Sequence, residues 1–229
     1  MSSSKFTTLL LLLLLPLLSV AEEKNAVHVE ADNVVHDEAS GKVTYSGNVV
    51  VIRGEMQLMS DTLVISRDSD TGEGIITATG DPLKFLSNSE GQMVRGDAST
   101  AIYQVDTRQL ELQGSPMNFE SVDARGQKLF GSASEARYDM ESSLLSMSGS
   151  PVRFRQTPTG DDQPIMGTSS KADYDMVRKL LVLSGDATVQ QNGNTVRNDR
   201  IVFNLKESII TAGAKANAKE RVKTLLELE

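Results

Sequence analysis

The stretch Gly96-Asp-Ala-Ser-Thr-Ala-Ile-Tyr103-Gln-Val-Asp-Thr-Arg-Gln-Leu110-Glu-Leu-Gln-Gly114 sets the pattern for the whole chain, because it returns twice. Gly131 to Gly149 and Gly167 to Gly185 repeat its spacing, with Tyr138 and Tyr174 in the place of Tyr103. The unit reads Gly-x-(Ala/Ser)-Ser-x-Ala-x-Tyr-x-(Val/Met), then a turn, then Leu-x-(Leu/Met)-x-Gly. Apolar residues recur at every second position, the period at which side chains of a strand fall on one face. The unit is a strand pair with one buried side.

Weaker copies extend in both directions. A small polar residue opens each first strand: Asp32, Asp61, Ser99, Ser134, Ser170 and Asp199. Two positions on comes Val34, Leu63, Ala101, Ala136, Ala172 or Ile201, and two further His36, Ile65, Tyr103, Tyr138, Tyr174 or Phe203. The second strands end at Gly47, Gly80, Gly114, Gly149, Gly185 and Gly213. Aliphatics stand four residues before each of them: Val43, Ile76, Leu110, Leu145, Leu181 and Ile209. Glycine within a strand marks a bulge or bend. Its recurrence at one point of six units predicts a sheet that bends along one line. About 12–16 consecutive antiparallel strands are expected, forming an elongated all-β roll or flattened sandwich that folds over to bury its apolar face. Residues 22–229 then form a single domain. A helical pattern is scarce, the best stretch being Ala212 to Arg221, and it lacks an apolar stripe.

Met1 to Ala21 reads as a cleaved secretory signal peptide: Lys5, an apolar run from Leu9, the break at Pro16, then Ser19-Val20-Ala21. The apolar run is shorter than the roughly 20 residues that cross a bilayer. With no cysteine among 229 residues, the fold is expected to rest on its core, without disulfides, thiolate metal sites or a lipobox. A net charge of −8 disfavours nucleic acid as a partner.

Catalytic material is thin. There are two histidines, His28 and His36, and no Gly-x-Ser-x-Gly, His-Glu-x-x-His or P-loop motif. No enzyme activity, cofactor or metal site is expected. Asp68-Ser-Asp-Thr-Gly-Glu-Gly74 starts like a calcium loop, but its twelfth position is Thr79, so an Asp- and Gly-rich hairpin turn is the better reading. Thr157 to Pro164 reads as a solvated insertion. What remains is the apolar interior, either plain core or a ligand groove, and two open sheet edges, near Asn25–Glu30 and Arg221–Glu229. Such edges accept a further strand, and joining unlike ends propagates head to tail.

Glu30-Ala-Asp-Asn-Val-Val-His-Asp-Glu-Ala-Ser-Gly-Lys-Val-Thr-Tyr-Ser-Gly-Asn-Val-Val-Val-Ile-Arg-Gly54 resembles the opening of OstA-like domains, and Met59 to Arg67 continues the pattern. Asn194 to Ser208 is similar to the last hairpin of that family, and Arg221 to Leu226 to its final strand. The resemblance implies a twisted β-jellyroll with an apolar groove between its sheets. It also implies a periplasmic protein that carries lipopolysaccharide from inner to outer membrane, its edge strands stacking on an inner-membrane LptC-like and an outer-membrane LptD-like partner and on further copies of itself. Lipid A acyl chains would lie in the interior. The residues expected to line it are Val34, Leu63, Ile65, Tyr103, Leu110, Tyr138, Leu145, Tyr174, Leu181, Leu183, Ile201 and Phe203, although any of these could equally pack as core. The alternative is a structural or adhesive repeat protein of the envelope with a dry core. The chain departs from the family by about one extra strand pair, by the Thr157–Pro164 loop, and by lacking a Gln- and Lys-rich tail.

Overall fold

Alternating segments form strands almost throughout the computed structural model of the chain, in which residues 27–89, 92–157, 163–207, 209–213 and 223–225 are described. The strands are β1 (Val27–Glu30), β2 (Asn33–Asp37), β3 (Lys42–Arg53), β4 (Met56–Arg67), β5 (Gly74–Ser89), β6 (Gln92–Gln104) and β7 (Gln109–Val122). They continue as β8 (Lys128–Asp139), β9 (Leu144–Thr157), β10 (Ile165–Asp175), β11 (Leu180–Gln191), β12 (Asn194–Asn204), β13 (Ile209–Ala212) and β14 (Lys223–Leu225). From β3 to β13 each strand pairs antiparallel with the next, and the 14 strands make one unclosed sheet. Both ends are split: β1 and β2 lie along successive parts of β3, and β14 and β13 along successive parts of β12. The expected signal peptide, the Asp161-Asp162 insertion, the stretch 214–222 and the chain after Leu225 lie outside the described residues.

The sheet bends where the glycines predict. Every long strand pair loses register at one line, and the odd-numbered strands carry the surplus residues there. Gly47-Asn48 oppose Asp61, and Gly185-Asp186 oppose Asp199. Gly80-Asp81-Pro82 oppose Ser99, and Gly114-Ser115-Pro116 oppose Ser134. A surplus residue on one strand of a pair leaves it unpaired and bends the strand. Two local solutions recur. Gly47-Asn48 and Gly185-Asp186 take positive φ at both residues, while Pro82, Pro116 and Pro151 follow cis peptide bonds. Carboxylates facing the bulges bind them: the Asp81 backbone N–H donates to Asp61 Oδ2 at 3.2 Å and the Asn48 side-chain amide to Asp32 Oδ2 at 2.8 Å.

Here the structure corrects the reading of the repeat. Asp61, Ser99, Ser134, Ser170 and Asp199 do not open strands, and Gly47, Gly80, Gly114, Gly149 and Gly185 do not end them. All sit in mid-strand, on the fold line. A bulge resets the period-two pattern without ending the strand, so sequence shows two short strands where one strand of about 12 residues or more, such as β3, turns a corner.

Each strand from β3 to β12 therefore contributes to two half-sheets, one carrying the tyrosines and one carrying Phe85, Phe119 and Phe154. They face each other. Phe154 belongs to the phenylalanine half and Phe203 to the tyrosine half, three strands away, yet their rings stack with centroids 6.4 Å apart. The residues next to the fold line are buried along the entire sheet: Val49, Leu83, Ala98, Met117, Ala133, Val152 and Ala187 on one side, Leu63, Ala78, Ala101, Leu112, Ala136, Met147, Ala172, Leu183 and Ile201 on the other. Small and large side chains mix, which lets two facing rows interdigitate.

The opening glycine of each repeat unit has its explanation in the phenylalanine half. Gly96 pairs with Phe85 and Phe119, Gly131 with Phe119 and Phe154, and Gly167 with Phe154. A Cβ at Gly131 would overlap the Phe119 ring, and one at Gly167 the Phe154 ring. The rings lie flat over the bare backbone of their neighbours. Gly131→Val is expected to cost about 1–3 kcal/mol by overpacking, a thermal midpoint lower by roughly 2–10 °C, whereas Ser132→Val on the opposite face leaves it nearly unchanged. Leu183→Ala, at a position 0% exposed, is expected to cost about 2–5 kcal/mol in chemical denaturation.

Candidate functional site

The inner face of the tyrosine half is two continuous rows of cross-strand neighbours. The row beside the fold line runs Val34–Tyr45–Leu63–Ala78–Ala101–Leu112–Ala136–Met147–Ala172–Leu183–Ile201–Ala212. The next runs His36–Val43–Ile65–Ile76–Tyr103–Leu110–Tyr138–Leu145–Tyr174–Leu181–Phe203–Ile210. All twelve residues expected to line the interior fall in these rows: Val34, Leu63, Leu183 and Ile201 in the first, the other eight in the second. Neither row contains an Asp, Glu, Lys or Arg.

Across the interior, the phenylalanine half presents Val29–Val51–Leu58–Phe85–Gly96–Phe119–Gly131–Phe154–Gly167–Val189–Val196. Sequence reasoning missed its three phenylalanines. The signal was present: Phe85, Phe119 and Phe154 each stand five residues after a bend glycine, Gly80, Gly114 and Gly149. Alternation breaks at that glycine, so the residues beyond it read as lying outside the strand.

Burial along the second row is graded. From Val43 through Leu145 its residues are half-buried, while Tyr174, Leu181 and Phe203 are buried. The opposite row behaves alike: Phe85 and Phe119 are half-buried, and Phe154 and Val189 buried. The interior is thus open from β3 to Leu145 of β9 and closed over β10 to β12, where Phe154 of β9 meets Phe203. Val34 is the exception among the expected residues. It is 60% exposed, because β2 is an edge strand with no further strand beside it.

The open side has an apolar lip. Val105, Met140, Met176 and Leu205 follow Tyr103, Tyr138, Tyr174 and Phe203 by two residues, and begin the hairpin turns. Their N–H groups donate to the carbonyl of the preceding turn at 2.9, 3.2, 3.1 and 2.9 Å. Asp139, Asp175 and Asn204 hold these turns by accepting two backbone N–H bonds each. Asp68 does the same for the turn that starts like a calcium loop, accepting from Asp70 and Thr71 at 2.9 and 2.8 Å. The Thr71 N–H, then that of Asp70, holds its carboxyl below the usual range. That carboxylate is committed to the turn. Among the described residues, no group of three His, Cys, Asp or Glu is placed to hold a metal ion.

Tyr174 reports the closing of the interior. Desolvation, aided by the charges of Asp175 and Asp123, pushes its phenol up to about 12. The phenolate is disfavoured in the folded chain relative to an unfolded tyrosine near 10, so stability falls as pH rises from about 10 through 12. In a titration followed by phenolate absorbance, Tyr174→Phe is expected to remove a component that ionises near pH 12.

A family model described as LptA/(LptD N-terminal domain) LPS transport protein matches residues 28–121 and 143–209, well over half of the chain. The lipopolysaccharide export system protein LptA of Escherichia coli K12 is 31% identical over 81 residues, 34% of this chain and 44% of that protein. The protein of the same name from Shigella flexneri matches with the same figures. The match thus spans less than half the length of these relatives. The crystal structure of LptH, the LptA-homologous periplasmic component of the lipopolysaccharide transport device of Pseudomonas aeruginosa, aligns over 91% of this chain and 100% of its own, at 17% identity and a TM-score of 0.34. On the family match, this chain belongs to the LptA/(LptD N-terminal domain) family of LPS transport proteins.

Proposed function

We propose that this chain carries lipopolysaccharide across the periplasm, with the acyl chains between the two half-sheets and the sugar–phosphate part in water. The observation that carries this reading is the half-buried apolar row from Val43 to Leu145, continuous across β3 to β9 and free of charge. A dry core would bury such side chains. Residues held part-way out of water over seven strands offer a surface that an acyl chain can cover.

Full burial of each CH₂ is worth about 0.8 kcal/mol, so several fully buried acyl chains would be held too tightly to move on. A groove open on one side lowers that figure per carbon. Successive slices of similar chemistry give neighbouring sites of similar energy, so cargo can be displaced along them without leaving a deep well. The chain itself offers no nucleotide site motif, and the driving force comes from its partners. Its net charge of −8 keeps phosphates off the walls.

The open edges serve docking. An incoming strand can add to β1 and β2 at one end, or to β13 and β14 at the other, as in β-augmentation. On this reading the partners are an inner-membrane LptC-like and an outer-membrane LptD-like protein, along with further copies of the chain. Residues 1–21 act as the export signal.

Photo-crosslinkers placed at Tyr103 and Tyr138 are expected to capture co-purifying lipopolysaccharide, and one at Arg137, on the other face of β8, is not. Leu145→Asp is expected to cut the co-purified lipid several-fold with the β-sheet circular dichroism retained. A lipid-free protein that crosslinks nothing at Tyr103 or Tyr138 would instead support a dry envelope repeat protein. Removal of residues 222–229, which include β14, is expected to lower the mass of head-to-tail oligomers in sedimentation without unfolding the chain.

A further inference from the structure

We propose a second binding site, on the outer face of the phenylalanine half, for the phosphate head of one anionic glycerophospholipid. The site begins with the sequence of β9, Val152-Arg-Phe-Arg-Gln156. Alternation sends Phe154 into the interior, so Arg153 and Arg155 stand on the opposite face. Register then fixes their neighbours. Arg155 lies between Phe130 of β8 and Met166 of β10, and Arg153 between Ser132 and Thr168.

Three properties set this patch apart. First, Phe130 and Met166 are 38% and 44% exposed, a solvent-facing apolar pair on a strand face that is otherwise polar there. Second, the two arginines carry no ion-pair partner among the described residues. The nearby Arg95 and Lys128 are both taken up by the buried Glu120. Third, the patch is concave: Phe130, Ser132, Arg153, Arg155, Met166 and Gln190 line an open depression of about 460 Å³. That volume falls within the range of pockets that take a single small molecule.

The chemistry of the lining selects the occupant. Guanidinium groups match phosphate oxygens with paired N–H donors. A phenylalanine ring and a thioether beside them favour the first carbons of an apolar tail. In a chain of net charge −8, two arginines side by side without an ion-pair partner among the described residues are a local excess of positive charge, which favours an anion at this spot. The proposal does not depend on lipopolysaccharide occupying the groove, because the sheet itself separates the two faces.

The probe is monomeric dihexanoyl phosphatidic acid, titrated into the chain lacking residues 1–21. Binding is followed by NMR at the arginine Nε–H groups and the Phe130 ring. Saturable shifts are expected at Arg153, Arg155 and Phe130, at least tenfold weaker with dihexanoyl phosphatidylcholine and reduced by added salt. The double variant R153E/R155E is expected to weaken binding at least tenfold with its thermal midpoint unchanged. Leu145→Asp, which tests the groove, is expected to leave this binding intact. Shifts confined to Tyr138 and Leu145, or an affinity unaltered in the double variant, would overturn the proposal, as would the absence of saturation at millimolar probe. Lipopolysaccharide crosslinking at Tyr138 that fails while the outer-face shifts persist overturns the groove reading alone.

Discussion

One line holds this protein together. Along it, every odd-numbered strand from β3 to β11 carries surplus residues, and the sheet turns back on itself. The constraint is hydrophobic: a sheet with one apolar face and no second layer must bury that face against itself. The bulges decide where. Because they align from strand to strand, the corner is continuous, and the rows on either side of it, from Val49 to Ala187 and from Leu63 to Ile201, bury one another along the whole length. With no cysteine in the chain, no disulfide shares this task.

Distance from the line then divides labour. Side chains next to it are core, and this explains why they are often small, as at Ala78, Ala98, Ala101, Ala133, Ala136, Ala172 and Ala187. Side chains one row out are larger, and their state depends on how far the halves diverge. Over β10 to β12 they meet, with Phe154 of β9 stacked on Phe203 and the Tyr174 phenol desolvated. Over β3 to β8 they do not meet, and the tyrosines, leucines and isoleucines stand half out of water. The same repeat unit supplies core at one end and groove at the other. On the proposed function the two parts have separate tasks: the closed part fixes the spacing of the halves, and the open part offers apolar walls that an acyl chain would cover.

The charged side chains follow this division. The acidic residues that cluster in sequence, such as Asp68, Asp139 and Asp175, are spent on their own hairpin turns, where backbone N–H groups hold them. Charged pairs such as Arg137 with Glu111 and Arg95 with Glu120 lie on the outer faces. These charges lie on the outside and at the rims, and the two rows of the tyrosine half carry none; Arg153 and Arg155 belong to the outer face.

The sequence by itself determined the strands, their consecutive pairing and the identity of the inner face, because period-two alternation and the repeated Tyr103, Tyr138 and Tyr174 are local properties of the chain. It also marked the bend, since only a disrupted ladder places glycine at the same point of unit after unit. It could not show that strands continue through that point, because a bulge resets alternation and looks like an end. For the same reason Phe85, Phe119 and Phe154, each just beyond a bend glycine, stayed invisible as the opposite wall. Nor could it separate core from groove. Leu145 and Leu181 occupy equivalent places in the repeat, yet one is half-buried and the other 3% exposed. That difference comes from the divergence of the two half-sheets, a long-range property set by twist and by what lies across the interior, and only the tertiary structure decided it.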